Sequence, residues 1–248
     1  GFDAVKFQKR TIDKVYTKEF LDSPRESPFG TTQRDQKEAL EFSIKEHKLL
    51  KDYANDLGIK FSASCWDKQA FYDMQEVGVD FWKIASPMLR HHELIELTSS
   101  TKLYTYISTG MSSLNEIEDA VNIFREQNCP FELMHCVSTY PLKEENANLN
   151  CIKNLKDKFQ CNVGYSGHET SLYRLCAAAV ALGASSIEKH ITKDRAMYGS
   201  DQAASIETHS LSKFVSSLKA VKRSLGDGNK IILDDEIPIR LKLSSEFK

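Results

Sequence analysis

Four times along this chain, polar residues two positions apart interrupt an otherwise apolar run. The pairs are Lys6 with Gln8, Ser138 with Tyr140, Ser166 with His168, and Glu188 with His190. Side chains on a strand alternate between its faces, so each pair points to one side. A buried Lys or Glu is costly unless it is paired or meets a ligand, and four such coincidences therefore indicate a site more than packing. Lys83, Ser86, Ser108, Ser138, Ser166 and His168 sit at or near the C-terminal ends of their runs, the catalytic end if the strands close a barrel. Two lysines and several hydroxyls suit phosphate and carboxylate, and Gly110, Gly164 and Gly167 permit close backbone approach, so a phosphorylated carboxylate is the ligand class that fits best. His168 and His190 fall on neighbouring strands with carboxylates nearby, a set that suits an open divalent-metal site. His135, between Leu133 and Val137, reads as a hydrogen-bonded core histidine, while His47, His91, His92 and His209 read as surface positions on helices.

The elements that must position these residues alternate in type. Strand-like runs cover Asp3–Gln8, Lys60–Cys65, Phe81–Ser86, Leu103–Thr109, Phe131–Ser138, Asn162–Ser166 and Ser185–Thr192. Helical patterns lie between them at Thr32–Leu57, Ser112–Gln127, Ser171–Leu182 and Ser210–Leu225; Leu114, Ile117, Val121 and Phe124 show the spacing. Ser113 with Glu116 has the form of a capping box, and Gly183 stands where a helix C-terminus favours glycine. Thr11–Gly30, with Pro24 and Pro28 and no clean periodicity, reads as a long loop at the catalytic end. Strands separated by helices imply parallel pairing, and no strand is followed by a GxGxxG turn. The expected fold is α/β, a TIM (β/α)8-type barrel with seven strands visible, truncated at its N-terminus, and the whole chain 1–248 forms a single domain.

A formal net charge of -2, with 27% charged and 41% hydrophobic residues, gives no field that would attract nucleic acid or anionic lipid. The longest apolar stretch, Leu175–Ala184, is too short to span a bilayer. Six cysteines are scattered without a CxxC pair, which suggests reduced thiols and a cytoplasmic location.

Eight segments, in order, resemble the sialic acid synthase (N-acetylneuraminate synthase) family. They are Ala4–Lys9 (AVKFQK), Phe61–Ser64 (FSAS), Trp82–Ser86 (WKIAS), Ile107–Met111 (ISTGM), His135–Pro141 (HCVSTYP), Val163–Thr170 (VGYSGHET), Ile187–Thr192 (IEKHIT) and Gly199–Asp201 (GSD). The resemblance implies a metal-dependent transferase that condenses phosphoenolpyruvate with N-acetylmannosamine or another N-acylated hexosamine, giving a nine-carbon 2-keto acid and phosphate. Carried over position by position, it gives Lys6, Ser64, Lys83, Ser108 and Ser166 as phosphoenolpyruvate ligands and Gln8, Tyr140 and Asp201 as contacts to the sugar. Ser86 and Ser138 would also touch substrate, the latter where some members have Asn. His168 and His190 would hold Mn²⁺ or Mg²⁺, with Glu188 beside them as a further active-site carboxylate. A homodimer is the implied assembly.

Two departures accompany the likeness. The family's usual first strand, with its acidic residue and AsnHis loop, has no counterpart before Gly1, so the expectation is an incomplete N-terminus. The family's small antifreeze-like domain has none after Arg240. Two other readings compete. One is a synthase of the same barrel making a seven- or eight-carbon 2-keto acid phosphate; its second phosphate site calls for extra arginines, whereas Arg34, Arg90, Arg125 and Arg174 fall in helices or loops. The other is a truncated barrel that binds a sugar or phosphate without turnover.

Overall fold

The computed structural model describes residues 1–243. Strand β1 (Ala4–Lys9) is followed by two short helices, α1 (Ile12–Val15) and α2 (Lys18–Asp22), and by an antiparallel hairpin of β2 (Pro24–Ser27) and β3 (Gly30–Thr32). Helices α3 (Gln33–Ala39) and α4 (Ile44–Asp56) lead to β4 (Lys60–Cys65), and helix α5 (Lys68–Val77) leads on to β5 (Trp82–Ile84). Strand and helix then alternate: α6 (His92–Ser100), β6 (Thr105–Ser108), α7 (Leu114–Glu126), β7 (Phe131–His135), α8 (Cys151–Phe159), β8 (Val163–Gly167), α9 (Arg174–Ala181) and β9 (Ile187–Lys189). Two short parallel strands, β10 (Ile191–Thr192) and β11 (Ile206–Glu207), and helices α10 (Leu211–Ser224) and α11 (Glu236–Leu243) complete the described chain.

Strands β5 to β9 form one parallel sheet in chain order, and β1 pairs with β4 in parallel from Ala4 opposite Lys60 to Lys9 opposite Cys65. Each of the seven expected runs contains an observed strand, but the pairing is in sheets of two and five. The junction between them is held by Asp80, whose backbone N–H donates to the Phe61 carbonyl and whose carboxylate accepts from the Phe61 N–H. Apolar residues from the sheet and its outer helices make the core: Ile84, Ile107, Leu133 and Val163 pack with Ile117, Val121 and Phe124, while Phe61 and Trp82 pack with Phe71 and Met74.

Local chemistry explains the element boundaries. Ser113 and Glu116 form the expected capping box on α7, and Gly183 follows α9 at φ 93°, a left-handed conformation glycine adopts without strain. The single helix expected over Thr32–Leu57 is instead two. Thr32 with Asp35 and Ser43 with Glu46 each build a capping box, so a second helix starts afresh at Ile44. The stretch Thr11–Gly30 is not a loop throughout: it holds α1, α2 and strand β2, too short for periodicity to reveal.

At the strands' N-terminal end, Glu132 is buried, and its carboxylate accepts hydrogen bonds from the hydroxyls of Tyr104, Ser185 and Ser186. All six cysteines are free. Among the described residues no helix is long and apolar enough to cross a membrane.

His47 corrects the expectation of a surface histidine. It is 0% exposed, walled by the rings of Phe7, Phe42 and Phe61, and neither ring nitrogen has a hydrogen-bond partner among the described residues. Burial, reinforced by Lys9 and only partly opposed by Glu46 and Asp73, lowers its pKa from 6.5 to about 4. The unfolded chain therefore takes up this proton before the folded one does, and stability falls as pH drops from above 6.5 towards 4, by about 3 kcal/mol in all. His47→Leu is expected to flatten that slope, as read by urea unfolding at pH 7.5 and pH 5. An unchanged slope would place the titration elsewhere.

Candidate active site

Parallel strands send their C-terminal ends to one side of the sheet, and there the structure opens a cavity of about 280 Å³. Lys6, Gln8, Lys83, Ser86, Ser108, Ser138, Tyr140, Ser166, His168, Glu188, His190 and Asp201 all line it. Ser64, expected among them, does not: it lies opposite Gln8 in the β1–β4 register, is 1% exposed, and its hydroxyl has no partner among the described residues.

Glu188 is the electrostatic centre. Its carboxylate lies 4.0 Å from Lys6 Nζ and 3.8 Å from Lys83 Nζ, and it accepts a 3.0 Å hydrogen bond from Ser166, its register partner across β8 and β9. Burial alone would raise its pKa, but Lys6 and Lys83 overwhelm that and hold it down at about 2. Lys83 is 3% exposed and donates to the Ser108 hydroxyl and the Ile84 carbonyl. Burial pulls its pKa down, and Glu188 opposes that. Two ammonium groups against one carboxylate leave a surplus positive charge that suits an anionic ligand.

The imidazoles form the second group. His168 Nδ1 lies 2.8 Å from the Val137 carbonyl, which can only accept, so Nδ1 carries the proton and Nε2 the lone pair. Nε2 accepts a 3.0 Å hydrogen bond from the Tyr140 hydroxyl. The His168 and His190 ring centroids are 5.6 Å apart, and His190 Nδ1 is 3.9 Å from Asp201. Burial lowers both histidines, His190 to about 4 with help from Lys6, so both are neutral near pH 7, the state a metal ligand needs. Among the described residues no group of three or more His, Cys, Asp or Glu converges as a metal cluster. Two neutral nitrogens of this kind fit a cation whose remaining ligands are oxygens from water or substrate.

Beneath the two histidines, their chain neighbours Glu169 and Lys189 form a buried ion pair at 3.1 Å. Lys189 also donates to the Glu169 carbonyl, and Tyr165 donates to its carboxylate. This pair ties the segment carrying His168 to the segment carrying His190.

Sequence reading missed two cavity residues that bear on chemistry, Arg10 and Trp66. The guanidinium of Arg10 lies 5.5 Å from the Trp66 ring centroid and pairs with Glu41 at 3.4 Å. The signal was present: the alternation through Lys6 and Gln8 extends to Arg10, and that through Ser62 and Ser64 extends to Trp66.

The site's residues sit in a chain whose likeness to known proteins runs over almost its full length. It is 37% identical over 98% of its length to an N-acetylneuraminate-9-phosphate synthase of Mus musculus, covering 68% of that protein. It is 34% identical over 97% of its length to an N,N'-diacetyllegionaminic acid synthase of Legionella pneumophila, covering 69%. A solved N-acetylneuraminic acid (sialic acid) synthetase of Leptospira borgpetersenii, in complex with citrate, superposes with a TM-score of 0.83 at 33% identity, covering 98% of this chain and 82% of that one. The family model described as the NeuB family matches residues 1–230. The chain is an enzyme that belongs to the NeuB family.

Proposed function

We propose that this enzyme condenses phosphoenolpyruvate with the open-chain aldehyde of an N-acylated hexosamine, giving a nine-carbon 2-keto sugar acid and inorganic phosphate. The observation that carries the reading is one cavity holding Lys6 and Lys83 around Glu188 at one end and the paired imidazoles of His168 and His190 at the other. The relatives' names, sialic and legionaminic acid synthases, support the substrate class. We place the chemistry in a single barrel domain of a cytoplasmic homodimer.

Lys6 and Lys83, with Ser108 and Ser166 beside them, bind the phosphate and carboxylate of phosphoenolpyruvate, and Ser86 completes that shell. Gln8, Ser138, Tyr140 and Asp201 hold the sugar. A divalent cation, Mn²⁺ or Mg²⁺, held by His168 and His190, supplies Lewis acidity to a carbonyl oxygen when bound. The methylene carbon of phosphoenolpyruvate bonds to the aldehyde carbon, whose oxygen takes a proton. Water adds at the former enol carbon, and the bond from that carbon to the phosphate oxygen breaks, expelling phosphate. Lys83 and Lys6 stabilise the departing dianion, while Glu188 keeps both ammonium groups in place.

Gly110 lies against this machinery, since a Cβ there would meet the Ser138 and Ser86 hydroxyls. Gly110→Ala is expected to raise the KM for phosphoenolpyruvate by about tenfold with the fold intact, a loss of about 1.4 kcal/mol. A KM within error of wild type would remove Ser86 from the phosphoenolpyruvate shell.

The test of the function is phosphate release from phosphoenolpyruvate with Mn²⁺, with and without an N-acylated hexosamine. Release that depends on the sugar and yields a 2-keto acid is expected. Release with no dependence on any such sugar overturns the reading.

A further inference from the structure

The two imidazoles of the cavity stand just beyond the last paired residues of their strands. The β8–β9 register runs Tyr165 opposite Ile187, Ser166 opposite Glu188 and Gly167 opposite Lys189, and it ends there, one residue short of His168 and His190. On one side His168 is firmly held. Its Nδ1 donates to the Val137 carbonyl at 2.8 Å, its own carbonyl accepts from the Leu142 N–H at 2.8 Å, and both partners belong to the segment that follows β7. Towards His190 the restraint is a side chain. Lys189 Nζ donates to the Glu169 carbonyl at 2.7 Å and pairs with the Glu169 carboxylate at 3.1 Å, so the residue before His190 grips the residue after His168 at two points.

That grip contributes little to the stability of the fold. The side chains of Lys189 and Glu169 are 1% and 0% exposed, and the desolvation of two such charges offsets most of their attraction. An apolar pair of similar volume would hold a core as well or better. The surroundings are nevertheless built to keep the charges. The Glu169 carboxylate accepts from the Tyr165 hydroxyl at 3.1 Å on one oxygen and from Cys176 Sγ at 3.5 Å on the other. Gly167 leaves room for it, since a Cβ there would come within 2.6 Å of the carboxylate. None of these residues lines the cavity.

An ion pair supplies what an apolar contact does not, a fixed distance and direction: charge-assisted hydrogen bonds are short and angular, whereas hydrophobic association is non-directional. We propose that Glu169 and Lys189 are positioning residues whose ion pair sets the arrangement of the His168 and His190 rings, 5.6 Å between centroids and 51° between planes, in which both ligate one divalent cation. This rests on the metal site proposed above. The pair serves the site and not the fold, because the apolar core that includes Val163, Tyr165, Cys176 and Ala179 holds β8 and α9 without it.

The test is the Glu169→Gln, Lys189→Met double variant. Glutamine keeps an acceptor for Tyr165, methionine keeps most of the lysine's volume, and no charge is left buried without its partner. Its thermal midpoint is expected within about 5 °C of wild type, while its affinity for Mn²⁺, read without substrate from the paramagnetic resonance of the free ion, falls about tenfold. In a crystal structure of the metal-free double variant the two rings are expected to shift relative to one another by more than about 0.5 Å. Tyr165→Phe is the control: it removes a hydroxyl from the same carboxylate, leaves the ion pair, and should keep wild-type Mn²⁺ affinity. A double variant that no longer folds makes the pair structural and overturns the proposal, as does a Tyr165→Phe variant that loses as much affinity. Rings that keep their wild-type arrangement overturn it in every case. Unchanged affinity overturns it wherever His168→Ala weakens Mn²⁺ binding. If His168→Ala and His190→Ala leave Mn²⁺ binding untouched, the metal reading has failed, and the ring arrangement in the double variant decides alone.

Discussion

Lys83→Met is expected to lower kcat/KM for phosphoenolpyruvate by about three orders of magnitude, roughly 4 kcal/mol of transition-state stabilisation. The effect is large because this ammonium is almost fully buried against Glu188, Ser108 and the Ile84 carbonyl, where few water molecules can stand in for it. Methionine keeps most of the volume and removes the charge, and Lys6, at 4.0 Å from Glu188, still balances the carboxylate. The fold should therefore survive, which thermal unfolding checks. A properly folded variant within tenfold of wild type in a phosphate-release assay would show that Lys83 balances Glu188 and does not contact the substrate.

His168→Ala and His190→Ala are each expected to weaken Mn²⁺ binding about 100-fold, measured by the paramagnetic resonance signal of free Mn²⁺ without any substrate. Both nitrogens are neutral near pH 7, and His168 has its Nε2 lone pair fixed by the bond from Nδ1 to Val137. Tyr140→Phe is the control, because it removes the hydroxyl that Nε2 now accepts from and leaves both imidazoles in place; its Mn²⁺ affinity should equal or exceed that of wild type. Unchanged affinity in both alanine variants would refute the metal assignment.

Much of this site was legible because strands impose a period of two. The spacing of Lys6 with Gln8 and of Glu188 with His190 is enough to put each pair on one face, and all four residues line the cavity. Arg10 obeys the same rule but stands one residue beyond β1, where a charged residue reads as solvent-facing. His47 was misread for a related reason. The helical pattern around it is polar, with Lys45, Glu46 and Lys48 as neighbours, and the rings that bury it come from β1, β4 and the α3–α4 link. Ser64 shows the limit of transfer by motif: its hydroxyl is buried without a partner among the described residues, and it does not line the cavity.

The buried Glu132 lies at the opposite end of the same strands from the cavity, and among the described residues its carboxylate accepts side-chain hydrogen bonds from hydroxyls alone. In evolutionary terms this separates two kinds of inheritance. Substitutions around Glu132, Tyr104, Ser185 and Ser186 change how firmly the strands are gathered and can accumulate in a lineage without altering the lining of the cavity. Substitutions around Gln8, Arg10 and Asp201, on the cavity wall, change what the cavity can hold without loosening the strands. Descendants of one ancestor can thus change in stability and in ligand choice along separate routes, neither change waiting on the other.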